Sequence, residues 1–342
     1  MIFLVASSPS GSRNCDRCRA MLMTAVIQPE SLDRDYFSIL GYRDQAEMFF
    51  RGLESNGLIL VDPDGRLLAE LNSRVQALST KDGQQIQIRL AELQKKQRRR
   101  IVFVDRTICA CPQSLSPLHT ALTVCQSCRP DTLIVDTKSQ PQINAPQSAS
   151  LTPLGSYISS DYEKRRHYYL DQTPPIDKMA AGEFDDDIVR CTRFSQIVRI
   201  YDKQIGHGSS LGGFRQGIGR ILALWVANAH FPKSSLAAEI YTCVQKSREP
   251  VDVIYARIRD LLLHRLHREH GVRVTLFFKE DDASITHDRF LQTNSVALSF
   301  SKGFDYLNEN GDLQRCSVKI DNGAYEHLQD YRNLKDHKPP AT

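Results

Sequence analysis

Short apolar runs ended by turn-forming residues recur through the first 140 positions. Residues 2–6 are stopped by Ser7-Ser8-Pro9-Ser10-Gly11, and residues 58–62 run into Pro63-Asp64-Gly65 before a second apolar run at 67–71. With 101–105 and 132–136, these runs read as buried strands, the pair 58–62 and 67–71 as a strand ending in a tight turn. Helical periodicity lies between them: 44–54, stopped by Asn56-Gly57, then 83–100 and 118–128. Alternating strands and helices predict an α/β layer around a mostly parallel sheet.

The second half repeats this alternation with less regularity. The pattern predicts helices at 157–170, 211–229 and 253–270, strands at 196–202 and 272–278, and paired strands within 287–300. Between Ser139 and Ser160 the chain turns polar and proline-punctuated, without a period, as a linker does. The division is therefore an α/β unit over 1–138, a linker over 139–155, a second α/β unit over 156–335, and a frayed tail at 336–342.

A chain of 342 residues suits two cores better than one, and 41% apolar with 25% charged residues is the balance of a soluble globular protein. The formal charge of +4 permits a polyanionic partner without requiring one. Residues 2–6 are too short for a signal-peptide core and lack a basic region before them, so the expected location is cytoplasmic. Nine scattered cysteines, an odd number, point to reduced thiols or a metal site and not to a disulfide framework.

The chemistry-bearing segment is His287-Asp288-Arg289-Phe290-Leu291-Gln292-Thr293-Asn294. Its spacing resembles the His-x-Lys-x4-Asp motif of the phospholipase D-like superfamily, with His287, Arg289 and Asn294 at the matching positions. The following Ser301-Lys302-Gly303-Phe304-Asp305-Tyr306, and Tyr201-Asp202-Lys203-Gln204-Ile205 upstream, are similar to the C-terminal domain that follows microtubule-interacting-and-trafficking (MIT) domains. The resemblance covers about 170 residues. It implies a phospholipase D-like fold in which His287 is a nucleophile toward phosphorus, without any cofactor. Arg289 would stabilise the non-bridging oxygens, and Asn294 would orient the imidazole.

Two departures bear on function. Arg289 holds phosphate in a bidentate fork but donates protons poorly, and Asn294 cannot stabilise an imidazolium as a carboxylate would. The motif also occurs once, whereas the superfamily uses two histidines, so catalysis implies a homodimer. The alternative is a degenerate module that binds acidic phospholipid or a protein partner. Lys302 and Arg273 are candidate phosphate-binding cations for either polyanion, nucleic acid or lipid.

The first half resembles PIN-like nuclease domains, with a Rossmann-like interaction domain as the alternative. The resemblance implies Mg²⁺ or Mn²⁺ held by strand-end carboxylates, for which Glu47, Asp105 and Asp136 are candidates. Ala6 and Ser7 stand where that family has an aspartate after the first strand. Two Cys-x2-Cys pairs, Cys15/Cys18 and Cys125/Cys128, have the spacing of zinc ligands, with Cys109 and Cys111 as further contributors. The basic run 94–100 and the histidines at 264, 267 and 270 read as solvated helix faces. The combined expectation is a phosphodiester-directed nuclease or nucleic-acid-processing protein, of the kind found in bacterial defence or mobile-element systems.

Overall fold

A computed structural model describes residues 22–78, 80–95, 100–140, 143, 149–164, 166, 175–179, 182–206, 211–244, 250–260, 264–281, 289–308, 310–321 and 324–337. The expected strand at 2–6 lies outside them.

The first sheet has five parallel strands: β1 (Met23–Ile27), β2 (Gly57–Val61), β3 (Ile101–Phe103), β4 (Thr132–Val135) and β5 (Ser150–Pro153). Their order is β3-β2-β1-β4-β5. Every residue of β1, β2 and β4 is buried, which explains why these strands read as continuous apolar runs without alternation. The crossovers carry α1 (Tyr42–Asn56), α2 (Arg66–Ala77), α3 (Thr80–Gln94) and α4 (Pro117–Cys128).

On α1 the buried Tyr42, Ala46, Phe49, Phe50 and Leu53 make one apolar stripe. The run 67–71, read from sequence as the strand-like side of a turn, belongs to α2. Leu67 and Leu71 are four residues apart and both buried, the spacing of one helix face. Asp62 fixes the start of that helix, its carboxylate accepting from the backbone N–H of Leu67 at 2.7 Å and of Arg66 at 3.1 Å.

The expected linker needs a correction. Residues 150–153 of the segment 139–155 form β5 and pair in parallel with β4, from Thr132↔Ser150 to Val135↔Pro153. An edge strand needs partners on one side only and tolerates polar residues and Pro153, so its composition imitates a linker.

The second sheet has six strands in the order β11-β10-β9-β6-β7-β8. Parallel β6 (Ile197–Tyr201), β7 (Ala237–Val244) and β8 (Arg273–Glu280) lie on one side. Antiparallel β9 (Arg289–Gln292), β10 (Ala297–Phe300) and β11 (Val318–Ile320) continue from β6. Around them run α5 (Glu183–Thr192), α6 (Leu211–Asn228), α7 (Val251–Ile258), α8 (His264–His270) and α9 (Ala324–Asn333). Of the helix expected over 253–270, the described residues show α7 and α8. Of that expected over 157–170, the described residues show a 3-10 segment at Leu154–Ser159 and helix at 161–164.

Part of the tail assigned as frayed is ordered. Asp336 pairs with Lys279 at the end of β8 (2.7 Å), and the N–H of His337 bonds to the carbonyl of Phe278 at 2.9 Å.

Buried side chains of both halves join one continuous apolar core. A polar network also crosses between the sheets. Asp131, at the start of β4, accepts from the N–H and hydroxyl of Thr24 (2.7 and 2.8 Å) and pairs with Arg190 of α5. Arg193 reaches the Thr24 hydroxyl at 3.2 Å and the carbonyl of Arg129 at 3.4 Å. Burial pushes the Asp131 carboxyl upward, but Arg190, Arg193 and Thr24 outweigh it and hold it below the ordinary carboxylate range.

Asp131→Ala is expected to cost about 2 to 3 kcal/mol at neutral pH by urea denaturation, below a fully buried pair because Arg190 keeps 26% of its side chain exposed. A depressed carboxyl stabilises above its unfolded pKa. The difference between variant and wild type should therefore shrink as pH falls through the carboxylate range. A pH-independent difference would count against the ion pair as its source.

Candidate functional site

In sheets with parallel strands, ligands bind beyond the carboxyl ends of the strands, where the order of winding reverses. In the first sheet this point lies between β1 and β4, and it is closed. Asp136 accepts from Tyr36 Oη (2.8 Å), Gln28 Nε2 (2.9 Å), the N–H groups of Lys138 and Ser139 (2.8 Å each) and the Ser139 hydroxyl. Burial raises its pKa, but these donors outweigh burial and bring it below the usual range.

The other two carboxylates proposed for Mg²⁺ or Mn²⁺ are engaged elsewhere. Asp105 accepts from the N–H and hydroxyl of Thr107, and Glu47 pairs with Arg43 on α1. Asp105 and Asp136 follow β3 and β4, which are three strand spacings apart, or about 14 Å. The structure therefore does not bring Glu47, Asp105 and Asp136 to one ion. Among the described residues no three His, Cys, Asp or Glu side chains form a ready-made metal cage.

The carboxyl edge of the second sheet is built differently. Asp202 follows β6 directly and is buried at 0% exposure, with Oδ1 accepting from the N–H of Gln204 (2.9 Å) and Oδ2 from that of Phe304 (3.4 Å). Arg289 opens β9 beside it, Nε 3.9 Å from Asp202 Oδ1. Its guanidinium also donates to Gln204 Oε1 (3.0 Å) and to the carbonyl of Ser301 (3.4 Å). Burial pushes the Asp202 carboxyl up to about 6, against the opposing pull of the Gln204 N–H, Arg289 and the Phe304 N–H. A buried carboxyl raised toward about 6 beside an arginine makes this edge the candidate site.

Gly303 permits this arrangement. Its φ is +104°, and a Cβ there would stand 2.8 Å from Asp202 Oδ2 and 3.2 Å from Arg289 Nε. Lys302, at the same edge, is exposed and bonds to Gln314.

Other residues singled out from the sequence lie elsewhere. Asn294 sits in the β9–β10 turn, five residues and about 15 Å along the chain from Arg289. Its N–H donates to the Ser195 hydroxyl (2.7 Å), and it lines a groove of about 500 Å³ with Phe103, Phe194 and Phe231. Arg273 begins β8 at that same far end of the sheet and is exposed. The structure thus keeps Arg289 and Lys302 together and separates both from Asn294 and Arg273. His287 lies outside the described residues, as do Cys15 and Cys18.

Cys125 and Cys128 are buried near the end of α4, where burial pushes the Cys125 thiol up to about 12 and the Cys128 thiol higher. Cys128 Sγ lies 3.1 Å from His230 Nε2, a neighbour that sequence spacing gives no hint of. Burial, then Arg193, lowers the His230 imidazole to about 4. Neutral thiol and neutral imidazole do not make a nucleophilic pair.

No family model, curated protein or solved structure matches the chain.

Asp202→Asn tests the carboxyl edge. A carboxyl raised in the folded state favours folding fully below its unfolded pKa and loses that contribution as pH rises through about 6. Wild type should therefore lose up to about 3 kcal/mol relative to the variant between pH 4 and pH 7, in parallel urea titrations. Equal slopes for the two proteins would mean that Asp202 titrates like an exposed aspartate.

Proposed function

We propose that the protein acts on phosphodiesters, nucleic acid foremost, at the carboxyl edge of the second sheet. The observation that carries this reading is the Arg289 guanidinium, held between Asp202, Gln204 and the Ser301 carbonyl with 18% of its side chain exposed. An arginine so oriented presents charge-assisted donors to a phosphate with little ordering left to do. His287, two residues earlier, is the proposed nucleophile, in keeping with the phospholipase D-like resemblance, and a second copy of the chain supplies the second histidine. Asp202 takes the place beside Arg289 that Asn294 does not reach. With its carboxyl raised to about 6, it can exchange a proton close to the bound anion. A defence or mobile-element role belongs to this reading.

The remoteness of Asn294 favours a second reading. Without an orienting group on the same strand, the fold serves as a non-catalytic module for acidic phospholipid or a protein partner.

Cleavage of single- and double-stranded DNA and RNA, with binding followed by fluorescence anisotropy, separates the two. His287→Ala should abolish cleavage, indifferent to EDTA, while binding persists. Arg289→Ala should weaken binding roughly 10- to 100-fold and lower the salt dependence by about one phosphate contact, with Arg289→Lys in between. Cleavage that EDTA stops and His287→Ala retains would move the chemistry to a metal site and end this assignment. Flotation on anionic liposomes, with neither cleavage nor nucleic-acid binding, would establish the second reading.

A further inference from the structure

We propose, independently of the phosphodiester reading, that the outer edge of β3 is a docking site for an extended apolar strand, and that residues 2–6 of this chain are its occupant. Among the described residues β3 ends the first sheet and pairs with β2 alone. The register fixes which of its backbone groups remain. The N–H of Ile59 donates to the carbonyl of Arg100 at 2.8 Å, and that of Val104 to the carbonyl of Val61 at 3.1 Å. In a parallel ladder with Ile59 opposite Ile101 and Val61 opposite Phe103, the N–H and C=O of Val102 also turn toward β2. The N–H and C=O groups of Ile101 and Phe103 therefore point away from the sheet, and the described residues give these four groups no backbone partner.

This edge is only partly open to water. Ile101 is 9% exposed, so its outward N–H and C=O are costly to leave unpaired. All three residues of β3 line the groove of about 500 Å³ that Asn294 also lines. Leu68 and Leu93 stand on its wall from the first half, Phe194 and Phe231 on its wall from the second. With walls from both halves, the groove admits one extended segment and not the edge of another sheet. No residue lining it carries a charge, so an apolar strand suits it better than an acidic or basic one.

Ile2-Phe3-Leu4-Val5-Ala6 has that chemistry: uncharged, free of proline, and rich in the β-branched and aromatic side chains that favour strands. Its tether is long enough. The position outside β3 is three strand spacings from β1, about 14 Å. Residues 7–21 join the segment to Leu22, immediately before β1, and a tether of that length spans up to about 50 Å. Docked there, residues 2–6 become a sixth strand of the first sheet. They pair the four outward groups and close an edge otherwise fit to join another chain.

Amide hydrogen exchange followed by NMR on the full chain tests this. The amides of Ile101 and Phe103 should exchange at least tenfold more slowly than in a chain lacking residues 1–12. Those of Val102 and Val104, bonded to β2, should change less than twofold. Leu4→Pro, which removes a strand donor, should reproduce the loss in the full chain, and Leu4→Val should not. A peptide of residues 1–10 with a lysine tail, added to the truncated chain, should restore the protection. Where truncation or Leu4→Pro unfolds the protein, interstrand NOEs between residues 2–6 and Ile101 or Phe103 in the wild type decide, and their absence overturns the assignment. Fast exchange at Ile101 and Phe103 in the full chain, or equal protection with and without residues 1–12, also overturns it. Protection that falls on dilution would assign the edge to a second copy and overturn it equally.

Discussion

The association of the two sheets depends on Asp131. Its carboxylate accepts both donors of Thr24 from the neighbouring strand of its own sheet and pairs with Arg190 from the other half. Arg193, one turn on, reaches Thr24 and Arg129. A carboxylate this enclosed is costly to bury unless its oxygens are occupied, so the cations of the second half meet a need that the first half creates. The apolar core alone is non-directional. The Asp131 network fixes which end of β4 faces α5, and thereby places the loops carrying Arg193, Phe194 and His230 against the end of α4.

The contrast between the two carboxyl edges explains why one is a candidate site. Asp136 receives five donors, so neither a metal ion nor a substrate finds a free lone pair without breaking a bond. Asp202 receives two, one of them long, and its arginine stands 3.9 Å away. The first carboxyl is driven below its ordinary range and the second above it. Burial acts in the same direction on both. It acts harder on the more deeply enclosed Asp202, while Asp136 has more hydrogen bonds to its ionised form, and the two differences together give the opposite outcomes.

Much of the fold is legible because its strands are short and doubly buried. Runs such as 58–62 and 132–136 carry no alternation, as parallel strands covered on both faces require. The paired strands within 287–300 were equally plain. What misled was composition standing in for position. The polar, proline-bearing β5 imitates a linker because it is an edge strand. The run 67–71 imitates a strand because its period can only be resolved once Asp62 is known to cap a helix. At the candidate site, motif spacing brought out Arg289 but grouped Asn294 with it in one site, as the residue that orients the His287 imidazole. Linear spacing cannot show that a hairpin turn carries residue 294 to the far end of β9. Asp202 was visible only as part of a resembling segment. Its burial comes from residues about 100 positions later in the chain, which no local pattern encodes.

Those later residues act through Gly303. The segment 301–305 delivers the Ser301 carbonyl to Arg289 and the Phe304 N–H to Asp202, so the two functional groups are set by one loop. That loop can pass so close only where a residue has no Cβ and adopts φ near +104°. Immediately beyond it, the chain packs on α6 through a second close approach. A Cβ on Gly217 would fall 2.0 Å from the carbonyl of Phe304. Two glycines, Gly303 within the segment and Gly217 on α6, therefore allow its close packing. This makes the spacing between Asp202 and Arg289 a property of backbone packing. The weak 3.9 Å pairing is what the backbone imposes, and an arginine that cannot fully collapse onto its carboxylate keeps part of its guanidinium turned toward solvent, where an anion can reach it.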